Sequence, residues 1–336
     1  MRLIIFCIVL ATLIPGLANA QEYNPRWDGN EDGVVDSADL LLFQRSWHAV
    51  APTPTPTPEN EISIDLPGLP VDATPLVLVR IPAGSFWMGS NESSLWSYCY
   101  PCEQPVHLVN IGPDFYLGRN EVTVGQYTAF LRSTGDESNV VWDLDCPLTR
   151  VAGDYVLSGN NFGQSWDQPM VGVAWNGSVA FADWLATLPG GSGARLPGEA
   201  EWEYACKAGI YSRFSFGDST CRHDDCNACD LDAYAWWCGN SIATGTKVVG
   251  QKLPNPFGLY DMHGNVMEWC EDDWHDSYTD APANRDPWVD SPRATERVIR
   301  SGSWDALAAD CRSTFRVRSV PLFGSNGLGF RVARDR

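Results

Sequence analysis

Short apolar runs, bounded by proline, glycine or asparagine, dominate the chain after Ala73, and long periodic segments are few. Runs of this kind read as short strands, here Leu76 to Ile81, Ser85 to Met88 and Val106 to Ile111. Helical patterning is confined to Thr123 to Arg132, Ser178 to Leu188 and Gly198 to Ala208, the last with Pro197 near its start and Glu199 and Glu201 in its first turn. No fixed-period repeat runs through the chain, which argues against a solenoid or propeller. The pattern predicts a loop-rich α+β domain over 73–336.

The N-terminus is patterned differently. A lone Arg2 precedes an apolar run from Leu3 to Leu17 that closes on Ala18-Asn19-Ala20, the layout of a secretory signal peptide over 1–20. The run is too short to span a membrane, and Cys7 lies inside it. Cleavage after Ala20 would deliver the chain to a secreted, periplasmic or cell-surface location. The Pro-Thr tract APTPTPTPEN opens a linker over 51–72, because alternating proline favours an extended, semi-rigid backbone. Residues 21–50 are left as a segment too short to bury a core of its own.

That segment carries candidate chemistry in WDGNEDGVVDSADLLLFQRSWH. Asp28, Asn30, Asp32, the carbonyl of Val34, Asp36 and Asp39 fall at the oxygen-ligand positions of a calcium loop, with Gly33 at its sharp turn and an apolar helix expected from Leu40 to Trp47. Aspartate at the last position makes it resemble a dockerin repeat more than an ordinary EF-hand, although dockerins carry two such repeats and this chain has one. The apolar helix therefore needs cover, from a cohesin-like partner or by docking within the chain.

A formal net charge of −19, made more acidic by loss of Arg2, would repel nucleic-acid phosphates and suits divalent cations or basic partners. Beyond Cys7 the cysteines are even in number, which in an oxidising compartment fits a framework with every thiol paired. Cys221, Cys226, Cys229 and Cys238, with His223 nearby, lack zinc-ribbon spacing and read as disulfide partners. Parity extends the same expectation to Cys311, with Cys270 as one candidate partner. The tryptophans read mainly as core plugs of a loop-rich fold.

Seven phrases carry a resemblance. They are IPAGSFWMGS (81–90), YLGRNEVTVGQYTAFL (116–131), QPMVGVAWNGSVAFADWLA (168–186), RLPGEAEWEYACKAG (195–209), NPFGLYDMHGNVMEW (255–269), RSGSW (300–304) and GLGFRVAR (327–334). In this order they resemble the formylglycine-generating enzyme, or sulfatase-modifying factor, family across nearly everything after the linker. The resemblance implies a fold related to C-type lectins and a possible activity, the copper- and oxygen-dependent conversion of a sulfatase cysteine to formylglycine. Many members keep the fold without that chemistry, so fold alone does not assign function.

The resemblance also implies site residues. Its copper is held by a Cys-x4-Cys pair, because Cu(I) selects sulfur ligands. Anchored on Gly302-Ser303-Trp304, the first cysteine position is Ala306 and the second is Cys311; anchored on the downstream arginines, the second falls near Ala308. Neither register restores the pair: the first lacks one thiolate, and in the second Cys311 matches neither position, so an active oxidase would have to rely on Cys311 and Ser303. The family's calcium site, carried over, would use Asp261, the carbonyls of Gly264 and Val266, and Glu268. These readings favour a calcium-stabilised binding or scaffold module with an unidentified protein, peptide or glycan ligand. The alternatives are a sulfatase-maturing oxidase and a dockerin-tethered component of an extracellular polysaccharide-degrading assembly.

Overall fold

A computed structural model of the chain describes residues 60–91 and 100–336. The signal peptide, the Asp28 to Asp39 calcium loop and the Pro-Thr tract lie outside the described residues. The elements in chain order begin with β1 (Glu61–Ile64), β2 (Leu76–Ile81), β3 (Gly84–Met88), β4 (His107–Ile111), β5 (Phe115–Gly118) and α1 (Val124–Thr134). They continue with β6 (Leu148–Val151), β7 (Asp154–Leu157), α2 (Trp175–Ala186), β8 (Ala194–Arg195), α3 (Glu199–Lys207) and a short α4 (Cys238–Ser241). The chain closes with β9 (Met267–Asp273), β10 (Arg297–Arg300), β11 (Arg316–Ser319), β12 (Leu328–Gly329) and β13 (Ala333–Asp335).

Two sheets organise the domain, one in the order β1-β2-β5-β13-β8 and one in the order β11-β10-β9-β12. The first corrects the linker boundary: Glu61–Ile64 is an edge strand, with Ile64 opposite Leu76 and Ile62 opposite Leu78. Ile64 and Leu78 are buried, so apolar pairing starts before the linker expectation over 51–72 ends. β12 joins the second sheet parallel to β9 and brings Gly327 beside Met267.

Local chemistry sets the helix ends. Thr123 and Gln126 form a reciprocal capping box at the start of α1, and Gly135, at φ 69°, closes it with its N–H on the Leu131 carbonyl. Helix α2 starts at Trp175, earlier than the expected Ser178, because the Trp175 indole donates to the Cys270 carbonyl (2.8 Å) and fixes the first turn on β9. Helix α3 is buried along its length, and Asp272 accepts the Glu199 N–H (2.6 Å) at its start. One apolar cluster joins α1 and α2 through Tyr127, Phe130 and Phe181; another joins β3, β4 and α3 around Phe86 and Trp202. Trp202, Trp237 and Trp269 are fully buried, as core plugs should be.

The cysteine expectation needs correction. Cys221 pairs with Cys229 and Cys226 with Cys238, which answers the zinc question for these four. Cys146, Cys206, Cys270 and Cys311, however, are buried free thiols. Cys270 and Cys311 belong to different apolar clusters and act there as small hydrophobes, which parity counting could not anticipate.

Candidate functional site

The stretch after β10 forms an arch from Ser301 to Cys311. Its ascending side is held by Trp304: the backbone N–H donates to the Asn265 carbonyl (2.8 Å), and the backbone carbonyl accepts from Ser241 Oγ (2.8 Å). The Trp304 indole donates to the Asn326 carbonyl (3.1 Å), and its ring packs on Phe162 at 5.7 Å between centroids. Ser303 Oγ donates to Asp305 Oδ1 (2.6 Å), so its hydroxyl is held by an exposed carboxylate.

The descending side ends at the buried Cys311. Its carbonyl accepts from His263 Nδ1 (2.9 Å), while His263 Nε2 accepts from the backbone N–H of Ser215 (3.0 Å) and lies 2.8 Å from Ser215 Oγ. That pattern places the single imidazole proton on Nδ1. Burial, then the carboxylates of Asp310 and Asp305, pushes the Cys311 thiol well above its ordinary range. A Cβ added to Gly302 would lie 2.5 Å from Cys311 Sγ and 3.2 Å from the Ala306 Cβ. Cys311 Sγ and the Ala306 methyl therefore both lie close to one point, and only one of the two is sulfur. A two-thiolate copper site does not fit this donor set.

The carbonyl and carboxylate set implied for calcium is only partly open to a cation. Glu268 accepts from Arg331 Nε (2.6 Å) and Arg331 Nη2 (2.7 Å), and also from Trp202 Nε1 (2.8 Å). Asp261, at φ 58°, accepts the Gly250 N–H (2.7 Å) on one oxygen, while its Oδ1 has no partner. Gly264 is pressed against the Trp236 carbonyl, where a Cβ would come within 2.3 Å, and Val266 is fully buried. Gly250 also lines a cavity of about 380 Å³, together with Arg119, Asn120, Asp167, Val249 and Tyr260.

Glu121, His263, Asn265 and Arg331 are site residues that motif spacing did not single out. Glu121 had one signal, a carboxylate followed by Val122 and Val124 in a run that becomes core. Asn265 joins the regions: its carbonyl holds Trp304, its Oδ1 accepts the Lys247 N–H (2.9 Å), and its Nδ2 reaches Glu121 Oε2 (3.4 Å).

A further buried ionic group reaches β10 and α3. Arg300 donates to Glu203 (2.5 Å) and Glu199 (3.3 Å), Lys207 donates to Glu203 (2.6 Å), and Arg312 pairs with Glu103 (2.8 Å). Burial alone would raise Glu203, but Lys207 and Arg300 outweigh it and hold the carboxyl at about 2. A depressed carboxylate stabilises the fold above its unfolded range and loses that contribution as pH falls through the folded value. Denaturant titrations should thus show stability declining from about pH 4.5 towards 2. Glu203→Gln should flatten that limb and cost about 3–5 kcal/mol at neutral pH, by stranding Arg300 and Lys207; an unchanged acid limb would remove Glu203 from the network.

Residues 70–336 match the sulfatase-modifying factor enzyme 1-like domain family. The chain is 31% identical to the formylglycine-generating enzyme of Thermomonospora curvata, across 77% of this chain and 93% of that protein. It is also 31% identical to the serine/threonine-protein kinase pkn1 of Chlamydia pneumoniae, across 77% of this chain but only 38% of that longer protein. Among solved structures, PvdO from Pseudomonas aeruginosa superposes with a TM-score of 0.64 at 33% identity, over 77% of this chain and 94% of PvdO. Treponema denticola variable protein 1 shares the fold at a TM-score of 0.59 and 24% identity, over 84% of this chain and all of that one.

Proposed function

Because the chain belongs to the sulfatase-modifying factor enzyme 1-like family, we propose that it is an exported, calcium-stabilised binding or scaffold module of that fold and not a copper oxidase. The observation that carries this reading is Ala306 beside Cys311, a methyl where the second sulfur would have to stand. Export rests on the Met1 to Ala20 pattern, and part of the calcium on the Asp28 to Asp39 loop.

The ligand we assign is an extended polypeptide segment, received along Trp304. Two loops meet beside it, tied by Asn326 donating to Asp145 (2.7 Å), and they present the exposed side chains Leu144, Leu322 and Phe323. An apolar rim next to backbone carbonyls and carboxylates suits a chain with alternating side chains and free N–H groups. Peptides selected against the chain from a displayed library should lose about 10-fold or more in affinity on Trp304→Ala. Peptide binding indifferent to Trp304, or capture of glycans alone, would overturn the assignment.

The second reading is a formylglycine-generating oxidase, favoured by the retained Ser303 and the likeness to the Thermomonospora curvata enzyme. It would require a sulfur donor that the arch does not provide. Attachment to a polysaccharide-degrading assembly would rest on the dockerin-like segment alone.

A further inference from the structure

Five segments of the chain meet at the cavity lined by Gly250, and hydrogen bonds between them hold its wall. Thr74 donates to Asp167 Oδ1 from both its backbone N–H (2.7 Å) and its hydroxyl (2.9 Å). The Asp167 carbonyl accepts the Val249 N–H (2.9 Å), and the Arg119 carbonyl accepts the Tyr260 N–H (2.9 Å). All of these residues line the cavity, so its wall is built before any ligand arrives. Its volume of about 380 Å³ lies near the small end of the roughly 300–1,000 Å³ span of small-molecule pockets. A ring or two would fill it; a long chain would not fit.

Hydrogen-bonding capacity is left over in this wall. Among the described residues nothing bonds Asp167 Oδ2, the Asn120 amide or the Tyr260 hydroxyl, and Asn120 Oδ1 is buried as well. The charges then narrow the choice of ligand. Arg119, the cation among the lining residues, already pairs with Glu61 (3.2 Å), so no uncommitted cation waits for a carboxylate or phosphate. A simple ammonium would engage Asp167 but leave the N–H groups of Asn120 and Arg119 unused. A hydroxyl both donates and accepts, and several on one ring match a wall of carboxylate, amide, phenol and guanidinium. Pro75, Val248 and Val249 give the same wall an apolar part, suited to the C–H faces of that ring.

We propose that this cavity binds one saccharide ring, free or at the end of a glycan chain. Asp167 accepts from the ring hydroxyls, Asn120 and Arg119 donate to them, and Tyr260 does either while its aromatic ring adds apolar cover. Gly250 has a part as well: with φ at +73° and a Cβ that would stand 3.2 Å from Asn120 Oδ1, a side chain there would be strained and would crowd the amide. None of the lining residues belongs to the arch from Ser301 to Cys311, so the site goes beyond the polypeptide ligand assigned to Trp304. One small ring and a handful of bonds set the expected affinity on the order of 1 mM.

The test applies saturation-transfer NMR to the full chain with glucose, galactose, mannose and N-acetylglucosamine, each as the free sugar and as its methyl glycoside. At least one should receive saturation and bind on the order of 1 mM. Equal binding of its methyl glycoside marks a glycan end, and loss on methylation marks a free sugar. Asn120→Ala should weaken that sugar about 10-fold at an unchanged thermal midpoint, because the side chain makes no hydrogen bond in the fold. Val248→Trp, which fills the cavity from a half-buried position, should abolish binding. The site would be overturned by no saturation of any sugar, by equal responses in the parent and both variants, or by glycine or ethylamine binding in place of the sugars. Peptide capture at Trp304 is read on its own, so its failure would strike the module reading and leave the sugar result standing.

Discussion

Replacing Arg331 with methionine is expected to cost the domain about 3–5 kcal/mol, as large a loss as that expected for Glu203→Gln. Arg331 is fully buried and makes a two-pronged ion pair with Glu268 while bonding the Gly118 and Tyr260 carbonyls. Methionine fills much of the volume, but it leaves Glu121, Asp261 and Glu268 together without their guanidinium. Urea denaturation at neutral pH reads the loss. Adding Glu268→Gln should recover part of it, because a neutral amide removes one stranded charge. A cost within about 0.5 kcal/mol, as for an ordinary surface substitution, would contradict the role of Arg331 as the guanidinium that balances these buried carboxylates.

The second large effect is a gain. Ala306→Cys should create a Cu(I) site, because the Ala306 Cβ and Cys311 Sγ both lie close to the Gly302 spot, which brings a second sulfur near the first. Copper binding with a thiolate-to-metal ultraviolet band should tighten on the order of 100-fold or more over the parent, which has one buried thiol at this position. The raised Cys311 thiol does not prevent this, since a bound metal ion itself displaces thiol protons. Ala306 is only partly buried and the change adds one atom, so the fold should tolerate it within about 0.5 kcal/mol. Equal copper affinity in parent and variant would mean that Ala306 and Cys311 do not share a site.

Much of the fold was legible because local chemistry decided it. The strand at Leu76 to Ile81 appears as expected, since proline bounds both ends of an apolar run. The α1 helix carries its start signal in Thr123 and Gln126. The strand at Glu61–Ile64 has no such local signal, because its pairing partner lies beyond an intervening turn and the composition before it is proline-rich. The fold is the loop-rich α+β one shared with PvdO, and the phrases from Ile81 to Arg334 carried that signal more clearly than periodicity did.

The candidate site was legible in part. The missing copper thiolate follows from Ala306, a one-residue fact that spacing exposes. The free thiols did not follow, because whether a cysteine pairs depends on which cluster buries it, as Cys270 and Cys311 show. Nor did the division of carboxylates: only three-dimensional contacts reveal that Arg331 takes Glu268 and leaves Glu121 and Asp261. A cavity lined by Asn120 and Tyr260, far apart in sequence, lies beyond the reach of motif reading for the same reason.

The most direct test is to incubate the unmodified chain with Cu(I), oxygen and a sulfatase-type Cys-x-Pro-x-Arg peptide, with the Thermomonospora curvata enzyme run in parallel, and to weigh the peptide by mass spectrometry. A binding module with Ala306 beside Cys311 should return the peptide with its cysteine intact while the parallel enzyme converts it. Formylglycine in the peptide, above a copper-only blank, would contradict the module reading and restore the oxidase.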